Sequence, residues 1–308
     1  MHIFMPCKTR TQALYAVKEI VESFGGTGTL IPFESAEKLR KRMRETDFDA
    51  VLSSEIAVLS RVPRTVPTVY LSADFHCADK RLPSDFSAYW IAHEELSFEC
   101  MTHGARDRNV HVCGVPLRKI YKAGIDAYSA RRALGIETRQ TVFSLYVDGV
   151  SQNEIKATVR AVRMLCPEAR TLLWSGEQSR RTFWQSTFAS EPTVYVPDAQ
   201  EYIPLALGAA DAVFCPAFAS LVCAAARQKK IIILLHTAHV RARKNAAFLD
   251  ERGVAFCGRT AADNVSFASR LLSSERLFSN MRRAHDKYIV PDAEARVSEY
   301  LRDVIGNR

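Results

Sequence analysis

The sequence predicts an α/β protein made of two Rossmann-like parallel-sheet domains facing a cleft. Three observations predict it. Strand-like and helix-like segments alternate from end to end, the pattern of parallel strands joined by crossover helices. A chain of 308 residues suits two domains of about 150 residues, each large enough to bury a core. The strand pattern also pauses after Pro116 and restarts at Thr141.

Short apolar runs predict first-half strands at His2–Cys7, Thr29–Pro32, Ala50–Ser53, Thr68–Ser72, Tyr89–Ala92 and Val110–Val115. Helices are expected at Thr11–Ser23, where Leu14, Val17, Ile20 and Val21 share a face, and at Ser35–Glu45 and Glu94–Thr102. Gly25-Gly26 supplies the stop of the first helix. Residues 117–138 change character and read as a connection containing a short helix from Ala127 to Leu134.

The second half predicts strands at Thr141–Tyr146, Thr171–Ser175, Thr193–Val196, Ala212–Cys215 and Ile231–Leu235. Helices are expected at Asn153–Leu165, Ser179–Phe188 and Tyr202–Ala209, then in an alanine-rich stretch before a fully apolar strand and a basic loop. Ala261–Ile289, broken internally, and Asp292–Ile305 close the chain, with Pro291 at the corner. The expected boundaries are a first domain over 1–125, a linker over 126–138 and a second domain over 139–290. A terminal helix over 291–308 is expected to pack back on the first domain.

Composition narrows the function. The net charge of +8 is spread over both halves, without the dense Lys/Arg patch and interleaved aromatics of a nucleic-acid binder. The eight cysteines include no C-x-x-C pair and no zinc-ligand spacing, so packed, reduced thiols and no metal are expected. His236 and His239 stand three apart but lack further ligands nearby. No apolar run approaches the roughly 20 residues that span a bilayer. The N-terminus reads as a strand rather than a signal peptide, and a cytoplasmic protein is expected.

Two stretches carry a family resemblance. Residues 211–259 hold a strand ending at Cys215-Pro216, a small-residue turn, an alanine-rich helix, the strand Ile231–Leu235 and Asn245-Ala246-Ala247-Phe248-Leu249. Residues 68–121 hold Ala73-Asp74-Phe75, Ala92-His93-Glu94-Glu95 and Val112-Cys113-Gly114-Val115-Pro116 in order. This layout resembles GT-B glycosyltransferases of three related types: monogalactosyldiacylglycerol synthases, bacterial diacylglycerol glycosyltransferases and the GlcNAc transferase of peptidoglycan lipid synthesis. The resemblance implies an acceptor side on the first domain and a donor side on the second. It also implies a UDP-sugar as substrate, a lipid or lipid-linked acceptor, no separate cofactor and peripheral contact with the inner face of the membrane. Ile56–Val69, mixing apolar and basic residues, reads first as core packing, with membrane contact as the alternative.

The resemblance assigns roles residue by residue. Asp74 stands for the aspartate of T-D-F and would act as base toward the acceptor hydroxyl, a task that needs a carboxylate within hydrogen-bond reach. Capping of its own loop is the alternative. His76 and His93 read first as surface or packing residues; on the resemblance they would orient Asp74 or the acceptor. Lys8 and Arg10 fall where relatives carry G-x-G-H; they read first as a solvated turn and alternatively offer an anion site, without the base function of histidine. On the donor side, Gly149 and Ser151 leave room for a diphosphate and Ser220 offers a hydroxyl at a helix start. Arg241, Arg243 and Lys244 in the following loop would grip the diphosphate, with Asn245 retained among the donor-side residues; an exposed basic loop beside a helix start is the alternative. Cys223 replaces the ribose-binding glutamate, a loss worth roughly 1.5–3 kcal/mol of nucleotide affinity. Ala217-Phe218 replaces a glycine pair and Lys230 a proline. These departures favour, as an alternative, a catalytically inactive relative acting as a binding or regulatory subunit. A nucleotide-sugar epimerase or hydrolase would want its own carboxylate and histidine set, which the sequence does not display.

Overall fold

The computed structural model describes the chain except for residues 9, 10, 123, 199–202, 307 and 308. It divides into two compact units. One comprises Met1–Lys119 with Tyr288–Arg308, the other Ile120–Lys287.

The first unit holds β1 (His2–Cys7), α1 (Gln12–Ser23), β2 (Thr27–Pro32), α2 (Ala36–Glu45), β3 (Ala50–Ser53), α3 (Ile56–Leu59), β4 (Thr68–Leu71), β5 (Ala88–Ile91), α4 (Glu95–Thr102) and β6 (Val110–Val112). Its six strands are parallel in the order β2-β1-β3-β4-β5-β6. Alternation along each strand sorts side chains to two faces. Ile3, Met5, Leu52, Leu71 and Trp90 pack with α1 on one face. Phe4, Val51, Tyr70, Tyr89 and Ile91 pack on the other with Leu39, Leu59 and Leu96. Burial on both faces explains why these strands read as continuous apolar runs.

Ile56–Val69 does not present the apolar surface a membrane contact needs. Ile56, Val58, Leu59 and Val62 are buried in the core, while Ala57, Ser60, Arg61 and Arg64 are exposed. The mixed composition is the signature of a short helix with one inner face. Among the described residues, no helix is long and apolar enough to cross a membrane.

The second unit continues from α5 (Lys119–Lys122), which straddles the boundary. It holds α6 (Ala127–Ala133), β7 (Val142–Tyr146), α7 (Gln152–Leu165), β8 (Arg170–Trp174), α8 (Gln178–Thr187), β9 (Val194–Tyr195), α9 (Ile203–Ala209), β10 (Ala212–Cys215), α10 (Ala219–Arg227), β11 (Ile231–Leu234), α11 (Val240–Glu251), α12 (Ala261–Leu272) and α13 (Glu275–Tyr288), whose last residue belongs to the first unit. Its five strands are parallel in the order β11-β10-β7-β8-β9. The order reverses between β7 and β10, where open α/β sheets bind ligands at the strands' carboxyl ends.

Residues 126–138, expected as a linker, are built into this unit. Asp126 caps α6 through Ser129 N. From inside that helix, the Arg131 guanidinium donates to Ala209 O at 3.1 Å, to Thr138 O and to Asp211 Oδ2 at 2.7 Å. Lys230, in place of a proline, also has a structural task. Its ammonium donates at 2.8 Å to Gly208 O and Ala210 O, and burial pushes its pKa down.

The last helix, α14 (Ala293–Gly306), lies against the first unit's sheet: Val297 and Leu301 share a cluster with Ile3 and Leu14. Gly114 permits this closeness. Its φ is +81°, and a Cβ there would stand 2.5 Å from the Val290 Cβ.

His285 on α13 is 1 % exposed and donates from Nε2 to Val254 O at 2.8 Å. Burial pushes its pKa down to about 4. The unfolded chain, titrating near 6.5, therefore binds the proton more readily than the folded chain. Stability is complete above that value and falls as pH drops toward 4, by about 3 kcal/mol in all. Urea midpoints measured between neutral pH and pH 4.5 should show this slope, and His285→Gln should flatten it.

Candidate functional site

The acceptor-side residues gather at the carboxyl edge of the first sheet. Asp74 and His76 stand in the loop after β4, both half-buried. His93 follows β5, is 3 % exposed, and donates from Nε2 to Phe75 O at 3.1 Å. Its ring also stacks on Phe75 at 5.9 Å and meets Tyr288 edge-on at 6.3 Å. His93 thus fixes the turn on which Asp74 and His76 stand. Lys8 lies after β1, exposed, with its N–H on Glu55 Oε1 at 2.9 Å and its ammonium 5.8 Å from the Phe33 ring. Arg10 lies outside the described residues.

The donor-side residues divide. Gly149, in the turn after β7, has φ +75° and sits beside the start of α10. Ser220 is half-buried in the first turn of α10, where backbone N–H groups lack intrahelical partners and the dipole favours an anion. Ser151 is committed to capping α7, accepting from Glu154 N at 3.2 Å. Cys223 is 2 % exposed within α10, so its thiol is packed inside the fold instead of presented to a ribose. Asn245 is 1 % exposed and donates to Ala217 O at 3.1 Å, which pins the turn that opens α10.

The expected basic loop is the first turns of α11. Val-Arg-Ala-Arg-Lys-Asn-Ala-Ala favours a helix, and Ala242, Asn245 and Leu249 form its buried face. Arg241, Arg243 and Lys244 are consequently exposed.

The turn at Gly149 is covered by residues the sequence did not single out as ligands. A Cβ on Gly149 would lie 2.9 Å from Phe218 Cζ and 3.0 Å from His239 Cδ2. The Phe218 ring is 5.5 Å from His239 and 6.4 Å from Tyr146. Thr237 Oγ1 donates to Gly149 O at 2.6 Å, tying the β11 loop over the turn. Asp148 holds the turn from below: its carboxylate accepts from Ser175 Oγ and, at 2.7 Å, from Gly176 N. Burial, then the Asp148 charge, push the Tyr146 hydroxyl pKa up. The result is a polar helix start walled by Tyr146, Phe218 and His239. His236 turns away to Gly258 O at 3.0 Å, so the two histidines serve different partners.

Two parallel-stranded sheets with surrounding helices, in this order, constitute the GT-B fold. The similarity to solved structures runs the whole length of the chain. The Staphylococcus aureus MnaA–UDP structure matches with a TM-score of 0.72 at 13 % identity, over 99 % of this chain and 97 % of that one. CalG4, the calicheamicin glycosyltransferase, matches with a TM-score of 0.68 at 12 % identity, over 99 % and 98 %. The Neisseria meningitidis UDP-GlcNAc 2-epimerase bound to UDP-GlcNAc matches with a TM-score of 0.65 at 13 % identity, over 100 % of both chains. No protein-family model matches the chain, and no curated protein matches it in sequence.

Proposed function

We propose that this protein transfers a sugar from a nucleoside diphosphate sugar, a UDP-sugar in the first instance, to a hydroxyl of a lipid or lipid-linked acceptor. The observation that carries the reading is the strand-order reversal between β7 and β10. There the positive-φ Gly149 turn meets the start of α10 with Ser220. A helix start with a hydroxyl suits a diphosphate, and aromatic walls suit a flat base or a sugar face. Full-length likeness to chains solved with UDP and UDP-GlcNAc supports the donor class. The acceptor class rests on the resemblance of the Ala73-Asp74-Phe75 and Val112–Pro116 segments. Asp74 serves as the base, and the charge leaving with the diphosphate is met by the α10 N–H groups and Ser220.

A second reading has a specific observation in its favour. The Phe218 ring rests on Gly149 where a phosphate would approach, and the cations of α11 are exposed on the helix surface. A scaffold that no longer transfers sugar, acting as a binding or regulatory subunit, would tolerate both. Calorimetric titration with UDP separates the readings. Wild-type protein should bind, and Phe218→Gly should bind about tenfold more tightly because the ring no longer competes for the turn. If neither protein binds UDP at millimolar concentration, the scaffold reading replaces the transferase.

A further inference from the structure

A second cleft opens in the second unit, between the start of α7 and the first turns of α8. Its volume is about 510 Å³, a size that suits a small organic ligand. Gln152 lines it from α7, and Glu177, Ser179, Arg180, Phe183 and Trp184 line it from α8 and its cap. Strand order puts this cleft on the β8 side of β7, whereas the Gly149 turn meets α10 on the β10 side. Gly149, Phe218, Ser220 and His239 do not line it.

The walls are fixed by bonds within the fold. The Asp148 carboxylate joins the turn after β7 to the turn after β8, accepting from Ser175 Oγ and, at 2.7 Å, from Gly176 N. Arg181, 7 % exposed, fastens α8 by donating to Ser175 O at 2.9 Å and to Asp198 O at 3.0 Å. Arg180 donates to Val147 O at 3.2 Å and stands 3.4 Å from the Glu177 carboxylate and 3.8 Å from that of Asp148. Trp184 is buried, and Phe183 meets it edge-on at 4.9 Å while keeping 38 % of its own surface exposed. The Trp184 Nε1–H is buried with no acceptor among the described residues, an uncommon state for such a donor.

We propose that this cleft is a binding site for a neutral sugar unit, separate from the donor turn. Charge excludes the ionic classes. The lining carries one cation and one anion, already paired with each other, so a charged ligand meets a like charge and finds no free counter-ion. A purely apolar ligand would strip water from Gln152, Ser179, Glu177 and Arg180 and return no hydrogen bonds. Sugar hydroxyls both donate and accept, and this lining needs both: guanidinium and indole only donate, a carboxylate only accepts, and amide and hydroxyl do either. The amide, carboxylate and guanidinium are also planar forks that can engage two neighbouring hydroxyls at once. The exposed Phe183 ring offers an apolar platform for the C–H face of a pyranose. The site needs no transfer activity to bind sugar.

Saturation-transfer NMR on the full-length chain tests this, with the methyl glycosides of glucose, galactose and N-acetylglucosamine as probes. At least one should bind saturably at millimolar concentration, and the anionic counterparts glucuronate and glucose 6-phosphate should bind about tenfold more weakly. Binding should persist when UDP is added, because the cleft and the donor turn open on different sides of β7. Phe183→Ala should weaken sugar binding about tenfold, and Gln152→Ala, at an exposed position, about threefold, with UDP affinity unchanged in both. No saturable binding of any of the three glycosides up to about 50 mM would overturn the proposal. So would displacement of the sugar by UDP, tighter binding of an anionic counterpart, or wild-type sugar affinity in both variants. Sugar binding that follows this pattern in a protein that does not bind UDP would support the site and count against the transferase reading alone.

Discussion

Asp74→Ala is expected to lower sugar transfer by about 10²–10⁴-fold and leave UDP affinity within about twofold of wild type. The separation follows from where the groups reside. Asp74 belongs to the first unit, whereas Gly149, Ser220 and the start of α10 belong to the second. A base acts on the acceptor proton in the transition state, so its loss appears in kcat, not in donor binding. Asp74→Asn keeps the size and a hydrogen-bonding group but not the basicity, and it should be nearly as impaired as the alanine variant. His93→Gln provides a contrasting case. His93 fixes the turn through Phe75 O, so its replacement acts on the placement of Asp74 and not on the proton itself. An Asp74→Ala protein that loses UDP affinity together with transfer would show that the aspartate holds structure instead of moving a proton.

The strands were legible in the sequence because both sheets are covered on two faces. Such strands read as unbroken apolar runs, and β1, β3 and β10 begin and end where the runs do. Charge misleads at one place, where it reads as a sign of loop. In Val240–Asn245, three cations in four residues hid a helix whose inner face is only Ala242, Asn245 and Leu249. In Ile56–Val69 the arginines do not hide the core segment, which turns Val58, Leu59 and Val62 inward as its first reading has it. The candidate site was half legible. Gly149 and Ser220 can be placed from local pattern, because a turn and a helix start are local objects. The Phe218 ring on Gly149 joins positions far apart in the chain, and no spacing rule reveals it. Asn245 was legible as a retained residue but not in its role, since its partner, Ala217 O, is a backbone atom on another element.

Arg131→Ala is expected to produce the largest loss of stability, about 3–5 kcal/mol. Arg131 is 8 % exposed, and its planar guanidinium serves three acceptors at once: Ala209 O, Thr138 O and the Asp211 carboxylate. Asp211 Oδ2 also accepts from Val142 N at 2.8 Å, so the pair ties α6, α9 and the first residue of β7 together. Truncation leaves two carbonyls without their donor and a carboxylate without its counter-ion, a greater cost than the pair's own net worth. Lysine is a poor replacement because one ammonium lacks the fork that reaches all three sites. Arg131→Lys should therefore recover only part of the loss. Trp174 and Trp184 both lie in the second unit, so tryptophan fluorescence during urea unfolding reports mainly on it. Asp211→Asn should cost less, because it keeps an oxygen for Val142 N and for the guanidinium. If Arg131→Ala unfolds with the wild-type midpoint, α6 is a tether lying against the second unit, as the linker reading had it, and not one of its structural members.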